Sequence, residues 1–178
     1  MTRNPFHLLV VLILVPLMAS CGFKLRDGSY RLPAEWRELV IETRGGISAH
    51  SGLTVDLKLA LQETQDVVVR DAGAKDLPKV ILLEERFRNP VSAIDSLGRA
   101  QEYLLEYIVH YKVVGSDGKE VIPKQRIYLR QEQSYSSKSI LAKEQESVVL
   151  KRNLQRRAAS RIVERLLMTA NKSIPAIN

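Results

Sequence analysis

Glu102, Glu106 and His110 recur every fourth residue, and on a helix that spacing would align two carboxylates and an imidazole as a divalent-cation site. The residues between them argue for a strand instead. Tyr103, Leu105, Tyr107, Val109, Tyr111 and Val113 alternate with Glu102, Leu104, Glu106, Ile108, His110 and Lys112, the two-residue period of a strand with one apolar face. At a rise of ~3.3 Å per residue, each four-residue step covers about 13 Å, too far for the three groups to converge on one ion. Tyr103, Tyr107 and Tyr111 share the apolar face, so core packing is expected of them rather than stacking on a ligand. The loop Gly45-Gly46-Ile47-Ser48-Ala49-His50-Ser51-Gly52 lacks both a following Lys-Ser/Thr pair and a Gly-x-Gly-x-x-Gly pattern, so it is expected to lead into a helix rather than to hold phosphate. His50 and His110 lie near neither a Gly-x-Ser-x-Gly elbow nor a His-Glu-x-x-His helix. The expectation is a non-enzyme without metal or cofactor.

The one cysteine, Cys21, is read from its position. Residues 6–18 are apolar apart from His7 and Pro16 and follow a single positive charge at Arg3, the pattern of a signal peptide. A membrane-spanning helix needs roughly 20 apolar residues, more than this run supplies. It ends at Met18-Ala19-Ser20-Cys21-Gly22, which resembles the bacterial lipoprotein box. That resemblance implies cleavage before Cys21, a diacylglycerol on its thiol and acylation of its new amino group. Acyl chains contribute about 0.8 kcal/mol per buried CH₂, enough together to hold a domain at one leaflet. Gly22, in place of the aspartate associated with inner-membrane retention, implies an outer-membrane address and a domain facing the periplasm.

Residues 1–20 are thus expected to be a signal and residues 21–178 a single domain. Across its 178 residues the chain is 45% hydrophobic and 26% charged, with 27 Lys and Arg against 20 Asp and Glu for a net charge of +7. That composition suits one core, and a single cysteine excludes an intramolecular disulfide framework or a Cys-rich zinc site. Residues 39–41 read as a strand, 53–61 as a helix and 67–69 as a second strand, an order that permits a right-handed crossover. Residues 80–91 read as a strand frayed at Pro90, and residues 99–114 as the long alternating strand. Ser116-Asp117-Gly118 turns the chain into an antiparallel partner over 120–133, near an edge because of Pro123. From 140 to about 171, Leu150, Leu154, Ala158, Ile162, Leu166 and Ala170 recur every four residues and predict a long amphipathic helix stopped by Pro175. The expected class is α+β, two helices packed on a mostly antiparallel, roughly four-stranded sheet.

Cations gather on separate elements: Arg86 and Arg88, Arg99, Lys138 and Lys143, and the stripe Arg157, Arg161 and Arg165. Arg and Lys supply the charge-assisted hydrogen bonds that phosphorylated ligands require. A periplasmic address argues against nucleic acid and makes lipopolysaccharide the available polyanion.

Several stretches resemble the family of lipopolysaccharide-assembly lipoproteins LptE. They are Cys21-Gly22-Phe23-Lys24-Leu25-Arg26, Glu102-Tyr103, Leu141-Ala142-Lys143-Glu144 with Glu146, and Arg157-Ala158-Ala159 with Ile162 and Leu166. The resemblance spans essentially the whole mature chain in the same order. It implies two helices on a four-stranded sheet, lipopolysaccharide binding, and a place as a plug within the outer-membrane β-barrel LptD. Lys143 falls on the basic position that the family directs toward lipopolysaccharide. A second family arginine corresponds to Ser96, so Arg99, three residues on, is its substitute here. A purely structural barrel plug and a pilot lipoprotein for another outer-membrane pore are the alternative readings.

Overall fold

A computed structural model describes residues 32–65, 67–134 and 140–172. A short 3-10 turn, Ala34–Trp36, buries its tryptophan and leads into β1 (Glu38–Thr43). Then follow α1 (Gly52–Gln65), β2 (Val68–Arg70), β3 (Lys79–Arg88), β4 (Val91–Ile94), β5 (Ala100–Val114), β6 (Glu120–Ser134) and α2 (Ile140–Lys172). Both helices pack against one face of a single sheet, with Leu53, Leu57 and Leu61 of α1 and Leu154, Ala158, Ile162 and Leu166 of α2 meeting Leu39, Val80, Leu82, Tyr107, Val109 and Tyr111. Full burial of such aliphatic side chains stabilises by about 1.5–3 kcal/mol each, so this two-layer contact is the main favourable contribution to folding.

The sheet is mixed and has six strands rather than roughly four; five coincide with the stretches that read as strands, and β4 is additional. β1 runs parallel to both β2 and β3, as the intervening α1 and the chain between β2 and β3 allow. β5 pairs antiparallel with β3, β4 and β6, so the expected antiparallel character holds for the half of the sheet built on β5. β3 and β6 both pair with the 106–114 stretch of β5 and therefore flank it on opposite sides. β4 and β6 overlap at Glu102 and Tyr103, which puts β4 on the β3 side as its continuation beyond Asn89-Pro90. The proline that suggested a frayed end instead interrupts a ladder that resumes at Val91, because Pro lacks the N–H a continuous strand would need. Tyr107 and Tyr111 are buried in the core, whereas Tyr103, near the end of β5, is only half-buried.

One irregularity controls what faces the helices. The register of β3 on β5 shifts between Leu82 and Glu84, so the inward parity of Val80 and Leu82 passes to Glu85 and Phe87. Such a bulge bends the strand and redirects the side chains after it. Gly45, with φ +62°, lies against the carbonyl of Leu83, and a Cβ at residue 45 would stand 2.3 Å from that oxygen. α1 then begins under a side-chain cap: the Thr54 N–H donates to Ser51 Oγ at 3.2 Å, and the Thr54 hydroxyl donates to the Ser48 carbonyl at 3.2 Å. The Gly45–Gly52 segment is thus a helix-leading turn.

Gly45→Ala is expected to destabilise by more than about 1–2 kcal/mol, because left-handed strain adds to the clash with Leu83. Gly46→Ala, with φ +81° but open space around it, should cost only the strain. Denaturant titration of the two variants checks the order, and equal losses would remove the assigned contact.

Candidate functional site

The β4–β5 hairpin displays Arg99 on a turn built by Asp95. One carboxylate oxygen, Oδ1, accepts the N–H groups of Leu97 at 2.9 Å and Arg99 at 2.8 Å, while Oδ2 accepts Arg99 Nε at 2.8 Å. Gly98, at φ +76°, closes the turn by donating to the Asp95 carbonyl at 3.0 Å. The Arg99 backbone N–H, then its guanidinium, hold the Asp95 carboxyl below its ordinary pKa, against a small opposing effect of burial. Arg99 is therefore fixed through Nε while its side chain stays 73% exposed. Beside it Leu97 is 73% and Ile94 65% exposed, an apolar pair on a turn where polar residues are the norm. Their combination with a fixed cation is what the spacing of charges alone did not reveal. An apolar residue at the centre of Ser96-Leu97-Gly98 was the available signal.

Lys143 lies in the first turn of α2. The register of β5 on β6 sets Glu102 opposite Ser134, so the hairpin and the start of α2 belong to the same end of the sheet. Farther along α2, Val148 and Val149 are 66% and 58% exposed and, with Phe87, border a shallow groove of about 480 Å³. The Lys151 ammonium stands 5.8 Å from the centre of the Phe87 ring. The hairpin, and separately this groove midway along β5, each set a cation beside uncovered apolar side chains.

A half-buried polar junction fixes where α2 lies. Glu85, turned inward by the bulge, accepts the Tyr107 hydroxyl at 2.8 Å and Gln155 Nε2 at 2.9 Å. Tyr107 stacks on Phe87 with ring centres 4.3 Å apart. Burial, then the negative charge of Glu85 and the hydrogen bond to it, hold the Tyr107 hydroxyl proton far above its usual range. One turn away on α2, Arg152 pairs at 3.2 Å with the buried Asp56 of α1. Nothing in the local sequence pattern marks Asp56 as buried, or Glu85 and Gln155 as facing each other between the layers.

The other candidates are dispersed. The Glu106 carboxylate accepts the Tyr128 hydroxyl, and His110 Nδ1 lies 3.1 Å from Glu84, so the suspected ligand set is divided along β5 among separate partners. Arg86 pairs with Glu84, and Arg88 ends β3 at the surface. Arg157, Arg161 and Arg165 lie on the exposed side of α2. Cys21 and Lys138 lie outside the described residues. Among the described residues, no helix is long and apolar enough to cross a membrane.

Two helices over one face of this sheet is a fold shared with solved bacterial lipoproteins. The rare lipoprotein B from Shewanella oneidensis superposes with a TM-score of 0.66 at 24% identity, over 76% of this chain and 97% of that one. A lipoprotein B from Nitrosomonas europaea gives 0.66 at 22% identity, over 85% and 93%. In sequence the chain is 28% identical to the LPS-assembly lipoprotein LptE of Yersinia enterocolitica, covering 93% of this chain and 77% of that protein, and 26% identical to that of Photorhabdus laumondii, covering 93% and 88%. Residues 41–166 match the LptE family model, described as lipopolysaccharide-assembly, and the chain belongs to that family.

Two measurements check the site's supports. Because the folded pKa of Asp95 is depressed, the turn's contribution is full above its unfolded value, about pH 4, and fades as acid carries the pH through the folded value. A carboxyl NMR titration should therefore give Asp95 a midpoint below ~3.9, and an ordinary midpoint would deny the clamp. Tyr107→Phe should cost about 1–2 kcal/mol in denaturant unfolding by removing one of the two donors to Glu85, and a neutral result would show the junction is not structural.

Proposed function

We propose that this chain is an outer-membrane lipoprotein, acylated at Cys21, that binds lipopolysaccharide and fills and organises the lumen of an LptD-type β-barrel during lipopolysaccharide assembly. Family membership supports the role in lipopolysaccharide assembly. One observation supports the ligand: the amphiphilic end of the molecule, where Arg99 is held beside exposed Ile94 and Leu97, with the first turn of α2 at the same end of the sheet. Lipopolysaccharide carries phosphates next to acyl chains, and a surface that offers fixed cations next to uncovered apolar side chains complements both.

The mechanism is electrostatic and geometric. Arg99 and Lys143 engage phosphates of lipid A or the core sugars and weaken packing between neighbouring lipopolysaccharide molecules, while Ile94 and Leu97 meet acyl chains. Asp95 holds Arg99 by Nε and leaves the outer guanidinium nitrogens to the ligand. No covalent step is asked of the chain. The acyl anchor at Cys21 keeps the domain at the inner surface of the outer membrane without a spanning helix.

Arg99→Glu and Lys143→Glu should each weaken binding of purified protein to lipopolysaccharide by about fivefold or more, with the circular dichroism unchanged and, for Arg99→Glu, a small fall in melting temperature from loss of the Asp95 clamp. Unchanged affinity in both variants would contradict the assignment. Charge reversals that lower only co-purification with the barrel would point to a plug without ligand affinity.

A further inference from the structure

Beside β6 lies a second feature, separate from the hairpin end, that neither the acyl anchor nor the lipopolysaccharide reading uses. A groove of about 440 Å³ runs between the edge of β6 and the C-terminal half of α2, with Tyr111 and Ile127 at its base. Arg126 and Tyr128 border it on the strand side, and Arg161 and Arg165 on the helix side. Arg161 and Arg165 are one helical turn apart and so project side by side. Arg165 stands over Tyr111, a side chain only 2% exposed at the base of the groove, and its positive charge partly offsets the rise that burial imposes on the pKa of that hydroxyl. Arg126 lies 5.1 Å from the centre of the Tyr128 ring. Among the described residues, none of Arg126, Arg161 and Arg165 forms an ion pair with a carboxylate. Glu164 also borders the groove, and Arg126 extends beside Tyr128 on the other face of the sheet because Ile127 turns into the core, so the helix side of the groove sets two positive charges against one negative.

The strand side carries a second kind of recognition. β6 pairs with β5 along its length, and among the described residues no strand pairs with its other edge. Alternate backbone N–H and C=O groups of that edge therefore face outward as a ladder awaiting a partner. A phosphate would satisfy the N–H groups but be repelled by the carbonyls between them, whereas an extended polypeptide satisfies both. Self-pairing is opposed by Lys124, Arg126 and Arg130, which would bring like charges together in an antiparallel pair of β6 edges.

We infer that the edge of β6 is a docking site for an extended acidic polypeptide segment, which adds to the sheet as a strand and sets the carboxylates of its helix-side face against Arg161 and Arg165. The partner is an acidic strand-forming segment of another protein. The edge supplies affinity through backbone hydrogen bonds, and the arginines select for sign of charge.

The full-length chain in detergent is titrated, by fluorescence anisotropy, into a labelled short peptide alternating glutamate and valine. A lysine–valine peptide and a glutamate–valine peptide N-methylated at alternate amides are the controls, and inorganic phosphate is the competitor. The glutamate–valine peptide should bind and slow amide exchange across residues 125–130, and both controls should fail. Arg161→Glu with Arg165→Glu should weaken binding by about tenfold or more, and Glu164→Gln should strengthen it, which keeps the test decisive if the double variant folds poorly. Equal binding of the lysine–valine peptide, retained binding of the N-methylated peptide with displacement by phosphate, concentration-dependent dimerisation through β6, or no binding would each overturn the proposal. Because Arg99 and Lys143 are left intact, lipopolysaccharide affinity in these variants should not change, so this result stands or falls apart from the hairpin assignment.

Discussion

A single inward carboxylate, Glu85, joins the two layers of this protein. Turning a carboxylate toward an apolar layer is costly unless it is hydrogen-bonded, and the half-buried Glu85 takes two donors on one oxygen, Oε1, from Tyr107 of the sheet and Gln155 of the helix. Apolar packing alone would let α2 slide or rotate on a surface of similar side chains. A hydrogen bond from Gln155 to a fixed oxygen removes that freedom, and the Arg152–Asp56 pair ties the same turn of α2 to α1. The bulge between Leu82 and Glu84 creates the arrangement, since without the extra residue Glu84 would turn inward in its place.

With the phase of a 33-residue helix set at one point, the position of its ends follows. Counting back along α2 from Gln155, which meets Glu85 opposite Val109, carries Lys143 about 18 Å toward the hairpin at ~1.5 Å per residue, into the same half of the sheet as Arg99, which lies farther out at about 33 Å by the strand rise of ~3.3 Å. Counting forward carries Arg161 and Arg165 alongside β6. One junction thus fixes both the amphiphilic end and the arginine groove, and the two need no contact with each other to be placed reproducibly.

Much of this was readable from residue order. The alternation in β5 named its buried face, and Leu154, Ala158, Ile162 and Leu166 named that of α2, because periodicity records burial directly. β4 was missed because Pro90 reads as a stop, although the chain resumes pairing on the same neighbour. The bulge was invisible: in Leu82-Leu83-Glu84-Glu85 no local rule says which glutamate turns inward. Arg99 was found as a cation, but its Asp95 clamp depends on a turn conformation that charge spacing does not encode. The arginine stripe on α2 stood only as one of several separate groups of cations, because the β6 edge is brought near it only by tertiary packing.

The central claim is that lipopolysaccharide meets the end of the sheet carrying Leu97 and the start of α2, rather than the end carrying the β5–β6 turn. Site-specific photocrosslinking decides it, with a benzophenone side chain placed at Leu97, in the hairpin, or at Ser116, in the turn at the far end of β5. The account predicts a lipopolysaccharide adduct from Leu97 and none from Ser116. Adducts of equal yield at the two positions, or an adduct from Ser116 alone, would contradict it.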